Sequence, residues 1–508
     1  MTAPDPLDRS STIAVVGTGT MGQGIAQVAL AAGHHVRLYD VAPGRAELAE
    51  QAITERFDRL VDKGRLDAAV RDAARARLAP AAELGELAGA ELVIEAILED
   101  LGAKQQLFTA LETVVGDDCL LATNTSSLSV TAVAAALRRP GRFLGLHFFN
   151  PAPLLPLVEV VSAAATTDEA AATAAYETVV AWGKTPVRCT DTPGFIVNRV
   201  ARPFYAEAFR LYEEGAADPA TIDAVLRECG GFRMGPFELT DLIGQDVNEA
   251  VTRSVWESFF QDPKFTPSLA QRRLVEGGRL GRKSGRGWYA YDGAARPEPR
   301  TAALEKAPAE VTVRPGGRGP AAVLPELIAA AGIEVVEGEP DGAYDGSVEL
   351  PGGGVLCLAD GGLATAFGDD RVQFDLALDY RAATRIALAP SDTARPETVQ
   401  AAIGLFQALG KKVSVIDDTP GLIVARTVAM LVDFAADAAA KGVASPDDID
   451  IAMHLGVNYP LGPLRWGELL GADWVCAFLE LMHTTHPTGR YAPSQLLIRR
   501  AASQERLL

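Results

Sequence analysis

A histidine that closes one apolar strand and a carboxylate twelve residues on, inside the next, are the residues of this chain best placed to move a proton. They are His147, at the end of Phe143-Leu-Gly-Leu-His147, and Glu159, within Leu157-Val-Glu-Val-Val161. An imidazole takes a proton from a hydroxyl readily near neutral pH. A neighbouring carboxylate fixes the imidazole tautomer and steadies the imidazolium. An apolar strand holds a carboxylate only when that group has a partner. On the residues alone two readings stay open: a proton-transfer dyad, or a structural hydrogen-bonded pair. The other five histidines lie elsewhere. His34 and His35 precede a strand near the N-terminus, and His454, His483 and His486 fall near the C-terminus.

A proton acceptor for a hydroxyl needs an oxidant, and the N-terminus supplies a place for one. Thr12-Ile-Ala-Val-Val16 runs into Gly17-x-Gly19-x-x-Gly22, with Thr20 and Met21 between the last two glycines, and then into a helical run to Ala32. Gly17 permits a tight turn, Gly19 lets a pyrophosphate approach the backbone, and Gly22 lets helix and strand pack closely. The helix N-terminus then offers free N–H groups to the phosphates. A second strand, His35-Val-Arg-Leu-Tyr-Asp40, ends in an acid 18 residues after Gly22. Asp40 there would accept from ribose hydroxyls and repel a 2′-phosphate, which favours NAD over NADP.

The elements around these residues alternate. Glu91–Glu95, Cys119–Thr123, Phe143–His147 and Leu157–Val161 read as strands between amphipathic helices, the pattern of a doubly wound α/β sheet. Ligands bind such sheets beyond the carboxyl ends of the strands, where His147 falls. A charged, helical insert spans about 45–78, hinged at Gly64, and carries Arg56, Arg59, Lys63, Arg65 and Arg71. Composition alone favours a solvated face there over a basic patch for an anionic ligand tail. From Asp191 the pattern is helical only, opened by Asp191-Thr-Pro-Gly.

An internal repeat organises the rest. Gly183-Lys and Asp191-Thr-Pro-Gly-Phe-Ile-Val-Asn-Arg199 recur as Gly410-Lys and Asp418-Thr-Pro-Gly-Leu-Ile-Val-Ala-Arg426. The offset is 418 − 191 = 227, and it holds for Gly215/Gly442, Asp223/Asp450, Gly235-Pro236/Gly462-Pro463 and Asp246/Asp473. At this offset Asn198 becomes Ala425, His147 becomes Phe374, Glu159 becomes Ile386 and Ser126 becomes Gly353. The second copy keeps the helical scaffold and loses the polar set. The expected organisation is a Rossmann-type domain at 1–190, a helical domain at 191–293 and a linker at 294–320. A degenerate α/β region without a cofactor site follows at 321–417, then a second helical domain at 418–508.

Composition excludes several classes. The chain has 508 residues and a formal charge of −19, which argues against nucleic acid and anionic membranes. The five cysteines are scattered without metal-type spacing, so no metal and a reduced, cytoplasmic setting are expected. The N-terminus carries no basic-then-apolar leader, and the apolar run 421–440 is broken by Arg426, Asp433 and Asp437.

Asn124-Thr-Ser-Ser-Leu128, Gly145-Leu-His-Phe-Phe-Asn-Pro151, Leu157-Val-Glu-Val160 and Asp191–Arg199 resemble the 3-hydroxyacyl-CoA dehydrogenase family. So do Gly235-Pro-Phe-Glu-Leu-Thr-Asp241 and Gly281-Arg-Lys-Ser-Gly-Arg-Gly-Trp-Tyr289. The long, duplicated form is similar to bacterial enzymes for 3-hydroxybutyryl-CoA and 3-hydroxyadipyl-CoA in aromatic-acid breakdown. The resemblance implies NAD as cofactor, an acyl-CoA substrate, His147 as general base and Glu159 as its orienting partner. It implies that Ser126 and Asn198 hydrogen-bond the substrate oxygen, that Glu95 and Asn150 contact the nicotinamide side, and that Lys283 reaches the cofactor. It turns the charged insert into a CoA-binding arm with Lys63 at a contact position, and with Arg56 where the family has serine. It also implies a homo-oligomer, or an intramolecular pseudo-dimer of the two helical domains. Arg199 and Arg202 lie close to Asn198 and are candidates to meet a terminal carboxylate. Arg199 recurs as Arg426, which points to a structural job for it.

Overall fold

The computed structural model describes residues 6–507 apart from 294, 318, 341 and 343–345, so the first five residues, on which the expectation of no leader falls, lie outside the described residues. Eight strands form the first sheet: β1 (Thr12–Val16), β2 (His35–Tyr39), β3 (Leu78–Ala81), β4 (Leu92–Glu95), β5 (Leu120–Thr123), β6 (Phe143–Phe148), β7 (Leu157–Ser162) and β8 (Thr185–Thr190). Their order is β3-β2-β1-β4-β5-β6-β7-β8. Every pair is parallel except β6 with β7. Ile13, Val15, Leu92, Ile94, Leu144 and Leu146 are fully buried, as a parallel sheet covered on both faces requires. The order reverses between β1 and β4, and that switch point is where open α/β sheets bind ligands.

The insert is two helices, α2 (Arg45–Asp62) and α3 (Ala68–Ala76). Gly64 turns between them at φ +64°. Leu78, taken from sequence as the end of the helical insert, instead opens β3, because it pairs in register with Val36.

A second sheet has the order β10-β9-β11-β12-β13-β14-β15. Its strands are β9 (Glu310–Val313), β10 (Glu334–Glu337), β11 (Val348–Glu349), β12 (Val355–Leu358), β13 (Arg371–Phe374), β14 (Arg385–Pro390) and β15 (Lys412–Val415). Its order repeats β2-β1-β4-β5-β6-β7-β8 of the first sheet, and among the described residues β3 has no counterpart. The match is worn: β11 runs antiparallel to both neighbours. The expected linker 294–320 is therefore interrupted, since Glu310–Val313 is a strand paired with β10. Gly352 and Gly353 make a positive-φ turn before the apolar strand β12.

The chain divides into two compact units, Met1–Arg199 with Lys441–Val457, and Val200–Ala440 with Asn458–Leu508. This division cuts across the repeat. In the first unit the helix Pro446–Val457, from the second helical repeat, packs on β7 and β8. In the second unit its counterpart Pro219–Glu228, from the first repeat, packs on β14. Each sheet is thus covered at one edge by a helix from the other half of the chain. The fit on the first sheet is close: a Cβ on Gly456 would lie 2.7 Å from Leu157 and 3.1 Å from Val197. No helix among the described residues is long and apolar enough to cross a membrane.

Candidate active site

Antiparallel pairing of β6 with β7 sets His147 directly opposite Glu159. Opposed residues on one sheet face lie close enough to bond through their side chains. Here His147 Nδ1 is 2.6 Å from Glu159 Oε2. Both residues are buried, His147 beside Phe149 and Phe195. Glu159 has a second task. Its Oε1 accepts from the N–H groups of Ile196 at 3.0 Å and Val197 at 2.9 Å. These N–H groups open the short helix Val197–Val200 that carries Asn198. One carboxylate therefore orients the imidazole and docks the helix bearing the proposed oxygen ligand. With Nδ1 engaged, Nε2 is the ring nitrogen left for a substrate hydroxyl.

The loop after β5 is braced by groups that sequence reasoning missed. Asn124 Oδ1 accepts from the N–H of Phe148, fixing this loop to the residue after His147. Glu99 accepts from the N–H of Ser126 at 2.7 Å, from its hydroxyl at 3.3 Å, and from Thr125 Oγ1. Asp191 accepts from Ser129 Oγ and the N–H of Thr131. Glu95, expected to contact the nicotinamide side, is fully buried. Its oxygens are taken by the N–H of Ile97, by Lys104 Nζ and by Thr123 Oγ1. That leaves Glu99, half-exposed four residues on, as the carboxylate presented at this loop. A buried lysine such as Lys104 leaves no periodic signal in sequence. Asn150 is exposed at the cis Asn150–Pro151 bond.

The glycine turn fits a dinucleotide on structural grounds. Gly17 has φ +94°, and a Cβ there would lie 2.5 Å from Ala96 O. A Cβ on Gly22 would lie 1.8 Å from Gly17 O. Gly19 is different: nothing stands within 4 Å of an added Cβ. Two glycines serve the turn itself, and the third leaves its outer side open for a ligand. Helix α1 (Thr20–Ala32) starts on Gly19 with no side chain capping its first turn, where Thr20 and Met21 sit, so its N-terminus is available to an anion. Asp40 Oδ2 accepts from the N–H of Thr18 at 2.9 Å and its hydroxyl at 2.7 Å, and Oδ1 accepts from the N–H of Ala42. Burial alone would push this carboxyl up, but the Thr18 and Ala42 donors and Arg45 hold it below the usual carboxylate range.

The remaining expected contacts are separate. On the helical insert Arg56 donates to Gln23 Oε1 of α1 at 2.6 Å, and Lys63 is exposed at the end of α2. Lys283 belongs to the second unit, in a tight turn at Arg282–Ser284, with its ammonium 2.6 Å from Asp246. Among the described residues no cluster of three or more His, Cys, Asp or Glu side chains could hold a metal.

The second copy shows what the scaffold needs without the chemistry. Phe374 replaces His147 and packs on Tyr380 and Phe406. The next residue, Asp375, accepts from the N–H groups of Ile423, Val424 and Ala425. At the 227 offset, Ile423 and Val424 match Ile196 and Val197. The helix-docking carboxylate survives, moved one strand over, while the imidazole it also served is gone. Ala425, Phe374, Ile386 and Gly353 carry none of the polar set, and the docking carboxylate stands at a fifth position, 375.

Comparison with known proteins identifies the family. Residues 12–192 match the 3-hydroxyacyl-CoA dehydrogenase NAD binding domain. Residues 194–291 and 421–506 both match the C-terminal domain of that enzyme, the same 227-residue offset. Residues 356–420 match the 3-hydroxybutyryl-CoA dehydrogenase reduced Rossmann-fold domain. The 3-hydroxyadipyl-CoA dehydrogenase of Escherichia coli K12 is 44% identical over 497 residues, covering 96% of this chain and 97% of that protein. The crystal structure of 3-hydroxybutyryl-CoA dehydrogenase from E. coli K12 superposes with a TM-score of 0.88 at 42% identity, covering 98% and 99% of the two chains. A 3-hydroxybutyryl-CoA dehydrogenase of Mycobacterium tuberculosis is 39% identical and matches 56% of this chain with 99% of its own length. The chain belongs to the 3-hydroxyacyl-CoA dehydrogenase family. It is an NAD-dependent oxidoreductase of that class.

Proposed function

We propose that the chain oxidises the 3-hydroxyl of a short L-3-hydroxyacyl-CoA, of the 3-hydroxybutyryl or 3-hydroxyadipyl type, with His147 as general base. The observation that carries this is the 2.6 Å bond between His147 Nδ1 and Glu159 Oε2, with Glu159 Oε1 on the helix of Asn198. When bound, NAD accepts the hydride from C3. The protein's share is proton handling and placement. Nε2 takes the hydroxyl proton as C3 becomes trigonal, and Glu159 balances the imidazolium. Asn198 and Ser126 hydrogen-bond the substrate oxygen. Glu99 fixes Ser126, and Asn124 fixes the strand end that carries His147. Asp40 and the open side of Gly19 receive the adenosine and pyrophosphate of the dinucleotide. The exposed Lys63 offers a cation to the CoA tail.

The test compares NADH oxidation with acetoacetyl-CoA by the wild type and by His147→Gln, with free acetoacetate and NADPH in parallel. Turnover that requires the CoA ester and NADH, and falls at least ~10²-fold in the variant, is the expected result. Tight NADH binding without turnover of any CoA ester would overturn the reading.

A further inference from the structure

The second sheet opens a cleft where the first sheet closes its glycine turn. In the first, β1 passes into α1 across Gly17-Thr18-Gly19, and Gly22 seats the helix against the turn. In the second, β9 is followed by Arg314-Pro315-Gly316-Gly317, a 3-10 turn at Gly319–Val323, and only then the helix Leu324–Ala330. The longer crossing holds the helix start off the strands. Between them lies a cavity of about 510 Å³, a size typical of small-molecule sites and far above the voids of a packed interior.

The cavity is built wholly within the second compact unit. Val313 of β9 pairs with Glu337 of β10 and with Val348 of β11, and Val335 stands two residues before Glu337. Alternation puts these four side chains on one face of the sheet. The three valines make an apolar floor, and Ala322 and Leu324 line the cavity from the helical side. Gly316 and Gly317 give it an edge of bare backbone. Gly316 has φ +103°, and nothing stands closer than 3.5 Å to a Cβ added on Gly317. Glu337, the last residue of β10, lines the cavity and is exposed.

A glycine turn, an apolar slot beside it and an acid ending the second strand are what a dinucleotide-binding βαβ unit offers to the nucleoside nearest that acid, which accepts from the ribose hydroxyls. The arrangement for a pyrophosphate is not repeated. Pro320 and Pro325 have no N–H to give, and the helix they lead into has only 7 residues. We propose that this cleft binds a nucleoside, free or as the end of a larger nucleotide. The base lies on the valines against the glycine backbone, and Glu337 accepts from the ribose hydroxyls. It is a second site, and it does not depend on the dehydrogenase reading above.

The test is equilibrium dialysis of labelled adenosine, guanosine and uridine against the full-length protein, with saturating NADH to occupy the first glycine turn. At least one nucleoside is expected to bind at one equivalent. Ala322→Phe puts a ring into the cleft from an exposed position, and should abolish that binding with the thermal midpoint unchanged. The wild type should hold the bound nucleoside roughly tenfold more tightly than its 2′,3′-dideoxy analogue, the scale of a hydrogen bond to a charged group, and Glu337→Gln should bring the two within about threefold. The 5′-monophosphate should bind within about threefold of the free nucleoside, since prolines stand where phosphate donors would be. Binding of none of the three nucleosides overturns the proposal, and so does binding that Ala322→Phe leaves undiminished. If Ala322→Phe fails to fold, the exposed Glu337→Gln decides: an unchanged dideoxy ratio overturns the proposal. A monophosphate bound more than about tenfold tighter overturns it in favour of a phosphate site. None of these outcomes bears on turnover of a CoA ester, which tests the dehydrogenase reading separately.

Discussion

Glu159→Gln isolates the double duty of the carboxylate that joins imidazole to helix. The side chain must satisfy two backbone donors with Oε1 and meet His147 Nδ1 with Oε2. Glutamine has one carbonyl oxygen and one NH2 group. If the oxygen faces Nδ1, the NH2 group confronts the N–H groups of Ile196 and Val197 and leaves two buried donors unpaired, at about 1–3 kcal/mol each. If the oxygen faces the backbone, the NH2 group donates to Nδ1 and every donor is paired. The second arrangement wins by at least ~2 kcal/mol, roughly a 30-fold preference. It puts the imidazole proton on Nε2, the atom that must accept one from substrate. Loss of the charge-assisted bond to the imidazolium adds about 1.5–3 kcal/mol to the barrier. Together these give a fall in kcat on the order of 10³-fold. The assay is oxidation of 3-hydroxybutyryl-CoA at saturating NAD, read beside the thermal midpoint. Asp375→Asn supplies an internal control. Asp375 docks the equivalent helix by the same backbone donors and has no imidazole. It should lower the midpoint and leave kcat within about threefold, the scale of ordinary secondary effects. A folded Glu159→Gln within about tenfold of wild type would refute the dyad. Equal losses of kcat in the two variants would refute it as well, since helix docking alone would then explain both.

Gly22→Ala should abolish tight NADH binding and lower the unfolding midpoint, because its Cβ would sit 1.8 Å from the backbone oxygen of Gly17. Gly19→Ala, with nothing within 4 Å, should keep the midpoint and still weaken NADH in a fluorescence titration. Equal midpoints for the two variants would contradict the assigned roles. Asp223 gives a pH prediction. Burial pushes it up to about 7, against hydrogen bonds from Tyr289 and the N–H groups of Phe237 and Glu238. A carboxyl raised on folding stabilises fully below its unfolded value near 3.8, and that contribution is lost as pH rises through about 7. The difference amounts to about 4 kcal/mol. Denaturant midpoints should fall between pH 5 and pH 8 in the wild type and fall less in Asp223→Asn; parallel pH profiles would speak against it.

Much of this was legible because the chemistry sits on short local patterns. The glycine turn, the His147–Glu159 spacing and the 227-residue repeat are linear features. Strand pairing turned the second into a contact without any further information. What stayed hidden depends on where the chain returns in space. Glu95 and Glu99 are both acids after an apolar run, and only the fold, which closes Lys104, Thr123 and the Ile97 N–H on Glu95, decides which one is consumed inside it. β9 hides in a stretch rich in proline, glycine and charge because only its pairing with β10 and β11 makes it a strand. The helix Pro446–Val457 reads like any amphipathic helix of the second repeat. Its place on β7 and β8 of the first sheet follows from tertiary packing, which local propensity does not encode.

The two copies together order the demands on the carboxylate that docks the helix. Phe374 shows that the strand tolerates loss of the imidazole, since an apolar ring fills its place and packs with Phe406. Asp375 shows that the following helix does not tolerate loss of an acceptor, since three of its opening N–H groups are buried against this one carboxylate. Such donors have no water to turn to, so an acid at this junction is a requirement of the fold before it is a requirement of catalysis. Glu159 meets the same requirement from β7 rather than from the end of β13, and its longer side chain leaves one oxygen free to face across to β6. Histidine at the opposed position converts that spare oxygen into an orienting partner. A structural carboxylate directly opposed to a histidine is therefore enough to build the dyad, and the second copy, with Phe374 and Ile386 at those two positions, meets the need of its helix with Asp375 instead.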